Sequence, residues 1–336
     1  MNPRFLMRFR LALHNNLSTL ANVNHNRSQT IVFLAICVLG SRAWGQATDA
    51  RVEQARMRVS PVGLNLGTQD ETAAAQRDRV VATPGDSDLG KQIVLPPTES
   101  AHPWRLFASA ADYYTDNATF TRTNRQADGY FFSEVGARYE GKLTESLGFE
   151  TTIRQGFFRY HDLTAQDFNS LNAGSGLYYR LKELWNITVF GRYNFEWLTD
   201  SGAGRDLLTN HTLSLGAQKT FTFDGGNFLY VGYTSIFGFA EQSALQRNEH
   251  VLYGGAQAHL TRDLDADLYA RLALFDYRQG NRRDVNGTVV AALTYHLNKR
   301  LSVNASYSFV FDRANQSRFD YDAGTVGGGL AFRYDF

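Results

Sequence analysis

The feature that most constrains this chain is a two-residue alternation of apolar and polar side chains, recurring from Trp104 to the C-terminus. That period gives an extended strand one apolar face and one polar face. In LSVNASYSFVFD, Leu301, Val303, Ala305, Tyr307, Phe309 and Phe311 share one face and Ser302, Asn304, Ser306 and Ser308 the other. WNITVFGRYNFEW sets Trp185, Ile187, Val189, Tyr193, Phe195 and Trp197 against Asn186, Thr188, Arg192, Asn194 and Glu196. LDADLYARLAL sets Leu264, Leu268, Leu272 and Leu274 against Asp265, Asp267 and Arg271. The terminal TVGGGLAFRYDF alternates through Val326, Gly328, Leu330, Phe332, Tyr334 and Phe336. Weaker segments begin near Arg105, Tyr130, Leu147, Ala173, His211, Asn227, Glu249 and Gly287, so the count is twelve.

Composition supports continuous sheet over this region. Five of the six prolines (Pro61, Pro84, Pro96, Pro97, Pro103) fall between the signal peptide and Trp104 and none follows it, whereas all seventeen tyrosines come after it. Proline cannot donate to a strand ladder, and aromatic residues favour strands and membrane interfaces. Short turns are expected at Thr144–Ser146, Lys182–Leu184, Asp224–Gly226, Thr261–Asp263 and Asn298–Arg300. Longer loops are expected near 116–128, 161–171, 200–209, 241–248, 277–284 and 313–320. Twelve segments of about ten residues, with short turns at one end and longer loops at the other, match a transmembrane barrel. In lipid an open sheet edge leaves unpaired backbone groups at several kcal/mol each, so the sheet must close. The expected fold is all-β: a transmembrane antiparallel up-and-down β-barrel over 104–336. A soluble β-sandwich is the competing architecture.

Residues 1–45 hold five arginines and no acid, and Ile31–Gly40 is an apolar run too short to span a bilayer as a helix. Small residues follow at Ala43, Gly45 and Ala47, which fits a secretory signal peptide over 1–45. The only cysteine, Cys37, lies inside that run, so the exported chain carries no disulfide and no cysteine metal site. Residues 46–103 are polar, poor in aromatics and broken by Pro and Gly, and read as a largely disordered periplasmic extension. The formal net charge of +1 carries no nucleic-acid signal.

The polar faces assign a lumen lined by Glu134, Arg138, Glu140, Lys142, Glu150, Arg154, Arg180, Arg192, Glu196, Asp265, Asp267, Arg271 and Arg333. Charges of both signs either line a wet pore or pair across a closed one. Small residues at presumed inward positions (Ala108, Ala110, Gly136, Gly148, Gly156, Gly176, Gly216, Gly232, Ala292, Gly327, Gly329) argue for some open bore. Lys219 points toward lipid, where it snorkels unless a bulge resets the register. No constellation for catalysis emerges, and neither a cofactor nor a metal is expected. His259 and His296 lie near the same end of the barrel, but two histidines are not a metal site. Asp263, Asp265 and Asp267 lack the Gly-centred loop of a calcium site. Arg278, Arg282 and Arg283 could meet lipopolysaccharide phosphates, with an ordinary solvated loop as the alternative.

Two stretches carry a resemblance. The ending Leu330, Phe332, Tyr334, Phe336 resembles the C-terminal signal read by the barrel assembly machinery of the bacterial outer membrane. ASAADYYTDNATFTR, with Asp116, Asn117 and Ala118 after a tyrosine-rich strand, resembles the opening of the β-barrel porin families. The resemblance implies an outer membrane of the Gram-negative type, contact with its lipid and lipopolysaccharide, and passage of small solutes. It carries over no catalytic residue. Two functions follow as expectations. One is a narrow porin-like channel for small hydrophilic solutes. The other is a non-conducting barrel that anchors or assists a secretion or polysaccharide-export system through residues 46–103.

Overall fold

The computed structural model describes residues 51–55 and 103–336. The signal-peptide reading of 1–45 and the remainder of the extension lie outside the described residues. Twelve antiparallel strands follow one another round a closed barrel, each paired with its neighbours in sequence, and β1 pairs with β12 to close it. They are β1 (Trp104–Thr115), β2 (Asp128–Lys142), β3 (Leu147–Tyr160), β4 (Phe168–Leu181), β5 (Ile187–Asp200) and β6 (Asp206–Thr222). The second half comprises β7 (Phe228–Ala240), β8 (Arg247–His259), β9 (Leu264–Tyr277), β10 (Arg283–His296), β11 (Leu301–Ala314) and β12 (Tyr321–Asp335).

The alternation decides which way each side chain points. Leu268, Leu272 and Leu274 of β9 are exposed on the outside, while Asp265, Asp267 and Arg271 are buried toward the lumen. Tyr307 on β11 is 53% exposed, and Leu330 and Phe332 on β12 are 51% and 41%. An apolar outer surface running round every strand suits hydrocarbon and would be intolerable in water. This inverts the soluble sandwich, whose apolar faces meet in a core. Rings gather where the short turns lie: Trp104 packs on Tyr139 at 4.8 Å and stacks with Phe336 at 6.5 Å.

Two expectations need correction. The strands run 12 to 17 residues, so five of the six supposed long loops shrink to 161–167, 201–205, 241–246, 278–282 and 315–320. Polar strand tips such as Asp206, Arg247 and Arg283 continue the ladder past the apolar band. Only 116–127 is long. The inward assignment of Ala108 and Ala110 also fails, because Ser109 and Ala111 are the buried partners and Ala110 faces out. β1 carries apolar residues on both faces, including the adjacent Tyr113 and Tyr114, so its alternation does not mark the inside.

The seam is held by backbone and charge. Trp104 and Phe336 exchange backbone hydrogen bonds of 3.1 and 2.9 Å. Asp335 accepts from Arg105 on β1 at 2.7 Å and from its own strand neighbour Arg333 at 2.6 Å. Gly329 sits so close to β1 that an added Cβ would lie 2.2 Å from the Ala110 carbonyl. The glycine run lets the closing strand approach where side chains would hold it off. Lys219 faces out as expected, in an unbroken register, and its ammonium bonds the Trp185 carbonyl in the turn 182–186.

Candidate functional site: the barrel lumen

The inward positions form three tiers. In the first, toward the short turns, Asp265 on β9 lies between two imidazoles. His259 Nδ1 on β8 is 2.5 Å from one carboxylate oxygen, and His296 Nε2 on β10 is 3.0 Å from the other. The two histidine strands are not neighbours; β9 separates them, and the carboxylate bridges the gap. With both oxygens engaged by imidazoles, Asp265 is a structural clasp. No group of three or more potential ligands among the described residues could hold a metal ion. Arg333 and Arg105 share Asp335 nearby, Arg180 is half-buried, and Lys142 is exposed at the strand end.

The middle tier is an ion-pair ladder. Glu140 and Glu150 face each other across β2 and β3, a like-charge pairing that would be unfavourable alone. Arg138 lies against both, 2.7 Å from Glu150. Glu150 also pairs with Arg192, which belongs to β5, two strands away. The residue between them in the row is Gly176, whose missing side chain lets the guanidinium cross β4. Arg154 and Glu134 approach to 4.0 Å in the next row. Glu196 is buried on β5 toward the long-loop end, and across the bore Arg271 donates to Thr288 at 3.2 Å and Asn286 at 3.1 Å. The charges therefore do pair along the wall, and Asp267 is buried among them. The inward glycines leave less room than their size suggests, since neighbouring rings lie over them: Phe107 over Gly136, Tyr178 over Gly148, Phe190 over Gly216 and Tyr253 over Gly232.

The tier at the long-loop end was not legible in the sequence. One wall is aromatic: Phe158 stacks on Phe168 at 4.0 Å and packs on Phe132 at 4.9 Å, and Tyr130 sits between Tyr113 and Tyr160 at 5.3 Å from each. The facing wall is charged, with Arg247, Glu249, Tyr277 and Asp284 buried. Loop 116–127 folds onto this mouth. Asn117 is fully buried, donates to the Thr121 and Asp322 carbonyls at 2.8 Å each, and accepts from the Thr121 backbone. Asp116 accepts the Gly324 backbone N–H at 2.8 Å. The Asp-Asn pair is thus the latch of the first loop. Of the arginines considered for lipopolysaccharide, Arg282 turns inward onto Asp284, Arg283 pairs with Asp276 outside, and the Arg278 backbone bonds Gln246.

Residues 51–55 occupy this same mouth as one helical turn, every residue buried. These five fall within the stretch 46–103, read from the sequence as a largely disordered periplasmic extension. Their apolar content is too small to signal a core; only the aromatic wall gives Val52 and Ala55 somewhere to pack.

Neither a protein-family model nor a curated protein matches the sequence. Solved structures do. An outer membrane channel from Pseudomonas putida F1 superposes with a TM-score of 0.50 at 10% identity, over 70% of this chain and 97% of that one. The translocator domain of an autotransporter from Neisseria meningitidis gives 0.39 at 12% identity, over 70% and 90% of the two chains. The NanC porin gives 0.40 at 12% identity, over 67% and 98%. The first likeness speaks to fold alone, and with the closed sheet and apolar exterior it leads to one conclusion: the chain is a closed twelve-strand antiparallel up-and-down β-barrel.

Proposed function

We propose that the barrel is a narrow, weakly selective channel for small hydrophilic solutes across an outer membrane. The observation that carries this reading is the inward face itself. Arg138, Arg154, Arg192 and Arg271 stand with Glu134, Glu150, Asp265 and Asp267 on the inward face, so that face is polar and carries both signs of charge. Twelve strands lie between eight-stranded barrels, which side chains fill, and sixteen-stranded porins, which hold water. Pairing along the wall, as between Arg138 and Glu150, neutralises the field an ion would feel. Little preference between cations and anions follows. Planar-bilayer recording on refolded protein tests this: small discrete steps are expected, and reversing Arg192 and Arg271 to Glu should tilt selectivity toward cations. Silence from correctly folded barrel, with and without residues 46–103, would overturn the channel and favour the anchoring role.

A further inference from the structure

The turn at 51–55 is fitted to the lumen on every side. Residues three apart share a face of a helix, and the two such pairs here go to different partners. Val52 and Ala55, 0% and 1% exposed, join the apolar cluster of Tyr113, Tyr130, Phe158, Phe168 and Leu208. Arg51 donates to Asp200 on β5 at 3.1 Å, and Gln54 donates to the Tyr130 hydroxyl on β2 at 3.2 Å. Glu53 faces the charged wall, where its carboxylate takes the Arg247 guanidinium of β8 and lies 3.4 Å from the Tyr277 hydroxyl of β9. Arg247 is itself fixed, bonded to Glu249 at 2.7 Å and lying 3.7 Å above the Phe275 ring. The partners come from β2 and β5 on one side and from β8 and β9 on the other, so the turn lies across the bore. Ala118 of loop 116–127 belongs to the same cluster, which narrows the remaining passage at that level.

We propose that residues 51–55 are a tethered stopper that closes the long-loop mouth, so that the channel conducts when this turn leaves its seat. The proposal rests on the channel reading above. The polar lock on the charged wall is Glu53 on Arg247, with the Arg51–Asp200 pair and the Gln54–Tyr130 bond on the other side, and the apolar half holds only while Val52 is inserted. Loss of the Glu53 lock or of the apolar half loosens the turn without touching a strand.

Two measurements separate the stopper from the channel. The first is bilayer conductance of the wild type, of Glu53→Gln, and of a form lacking 51–55, each shown to be folded by heat-modifiable gel mobility. A seated turn that leaves the open form a minor population of about 1–10% implies that the deletion raises mean current by about tenfold or more. Equal current with and without 51–55 overturns the stopper. The second needs no conduction. In a Cys37→Ser background, Val52→Cys should be labelled by a membrane-impermeant maleimide about tenfold more slowly than the same cysteine carrying Glu53→Gln as well. Rapid labelling in the otherwise unaltered folded barrel overturns the seat. A protected cysteine with silence in every form, the deletion included, overturns the channel and with it the gating role.

Discussion

Gly176 controls an interaction between two residues on other strands. It lies in the row that joins Glu150 to Arg192, and a Cβ added there would sit 3.4 Å from Arg192 Nε, an ordinary contact. Gly176→Ala should therefore be tolerated, whereas the branched side chain of Gly176→Val should push the guanidinium off Glu150 and cost about 1–3 kcal/mol. Removing the cation outright leaves the buried Glu150 with Arg138 as its remaining cation, so Arg192→Met should cost more than the valine, about 3 kcal/mol. Urea unfolding of refolded barrel, followed by tryptophan fluorescence, checks the order Ala, Val, Met. Asp167 offers a test in pH. It sits in loop 161–167, where burial pushes its carboxyl above the ordinary value of 3.8 despite the hydrogen bond it accepts from the Tyr160 backbone. A raised acid contributes its stability in full below 3.8 and loses it as pH rises through the folded value. Asp167→Asn keeps the acceptor and removes the titration. It should match the wild type near pH 3 and melt higher at about pH 7. Identical pH profiles for the two would refute the reading.

Strand sidedness can be broken one residue at a time. Tyr307 and Ser306 are neighbours on β11 with opposite environments, the first 53% exposed to the outside and the second half-buried toward the lumen. An arginine on the lipid face at mid-bilayer costs about 2–4 kcal/mol, so Tyr307→Arg should impair folding into lipid vesicles. Ser306→Arg adds its charge where Asn304 and Ser308 already stand, and should fold normally while narrowing the pore. Equal damage from both would mean that β11 is out of register. Loop 116–127 belongs to this scale too. Asn117→Ala leaves the Thr121 and Asp322 carbonyls without their side-chain donor and should raise protease cleavage in the loop with little change in barrel melting.

Closure of the whole molecule depends on its last residue in a limited way. Phe336 is 47% exposed, stacks with Trp104, and exchanges two backbone hydrogen bonds with it. None of this is core packing, so a chain lacking Phe336 should still refold in detergent. If the C-terminal side chain is instead read by the assembly machinery, the same deletion should lower outer-membrane yield in cells and leave protein in the periplasm. Normal insertion in cells would remove that role from the apolar face Leu330, Phe332, Tyr334 and Phe336. Measuring both yields on one variant separates stability from recognition.

The period-two pattern sufficed to specify strand number and up-and-down order, because each barrel residue meets either lipid or lumen and the two demand opposite chemistry. The pattern puts Arg192, Glu150, Asp265 and Arg271 on the polar face of their strands, and each is buried. What the pattern cannot carry is distance between strands. Asp265 bridging His259 and His296, Gly176 opening a path for Arg192, and rings covering the inward glycines are relations among residues tens of positions apart. β1, apolar on both faces, defeated the pattern even locally. The seat of residues 51–55 depends most on tertiary structure: a short turn with two small apolar side chains and one acid acquires meaning only when closure brings an aromatic wall and Arg247 to opposite sides of one mouth.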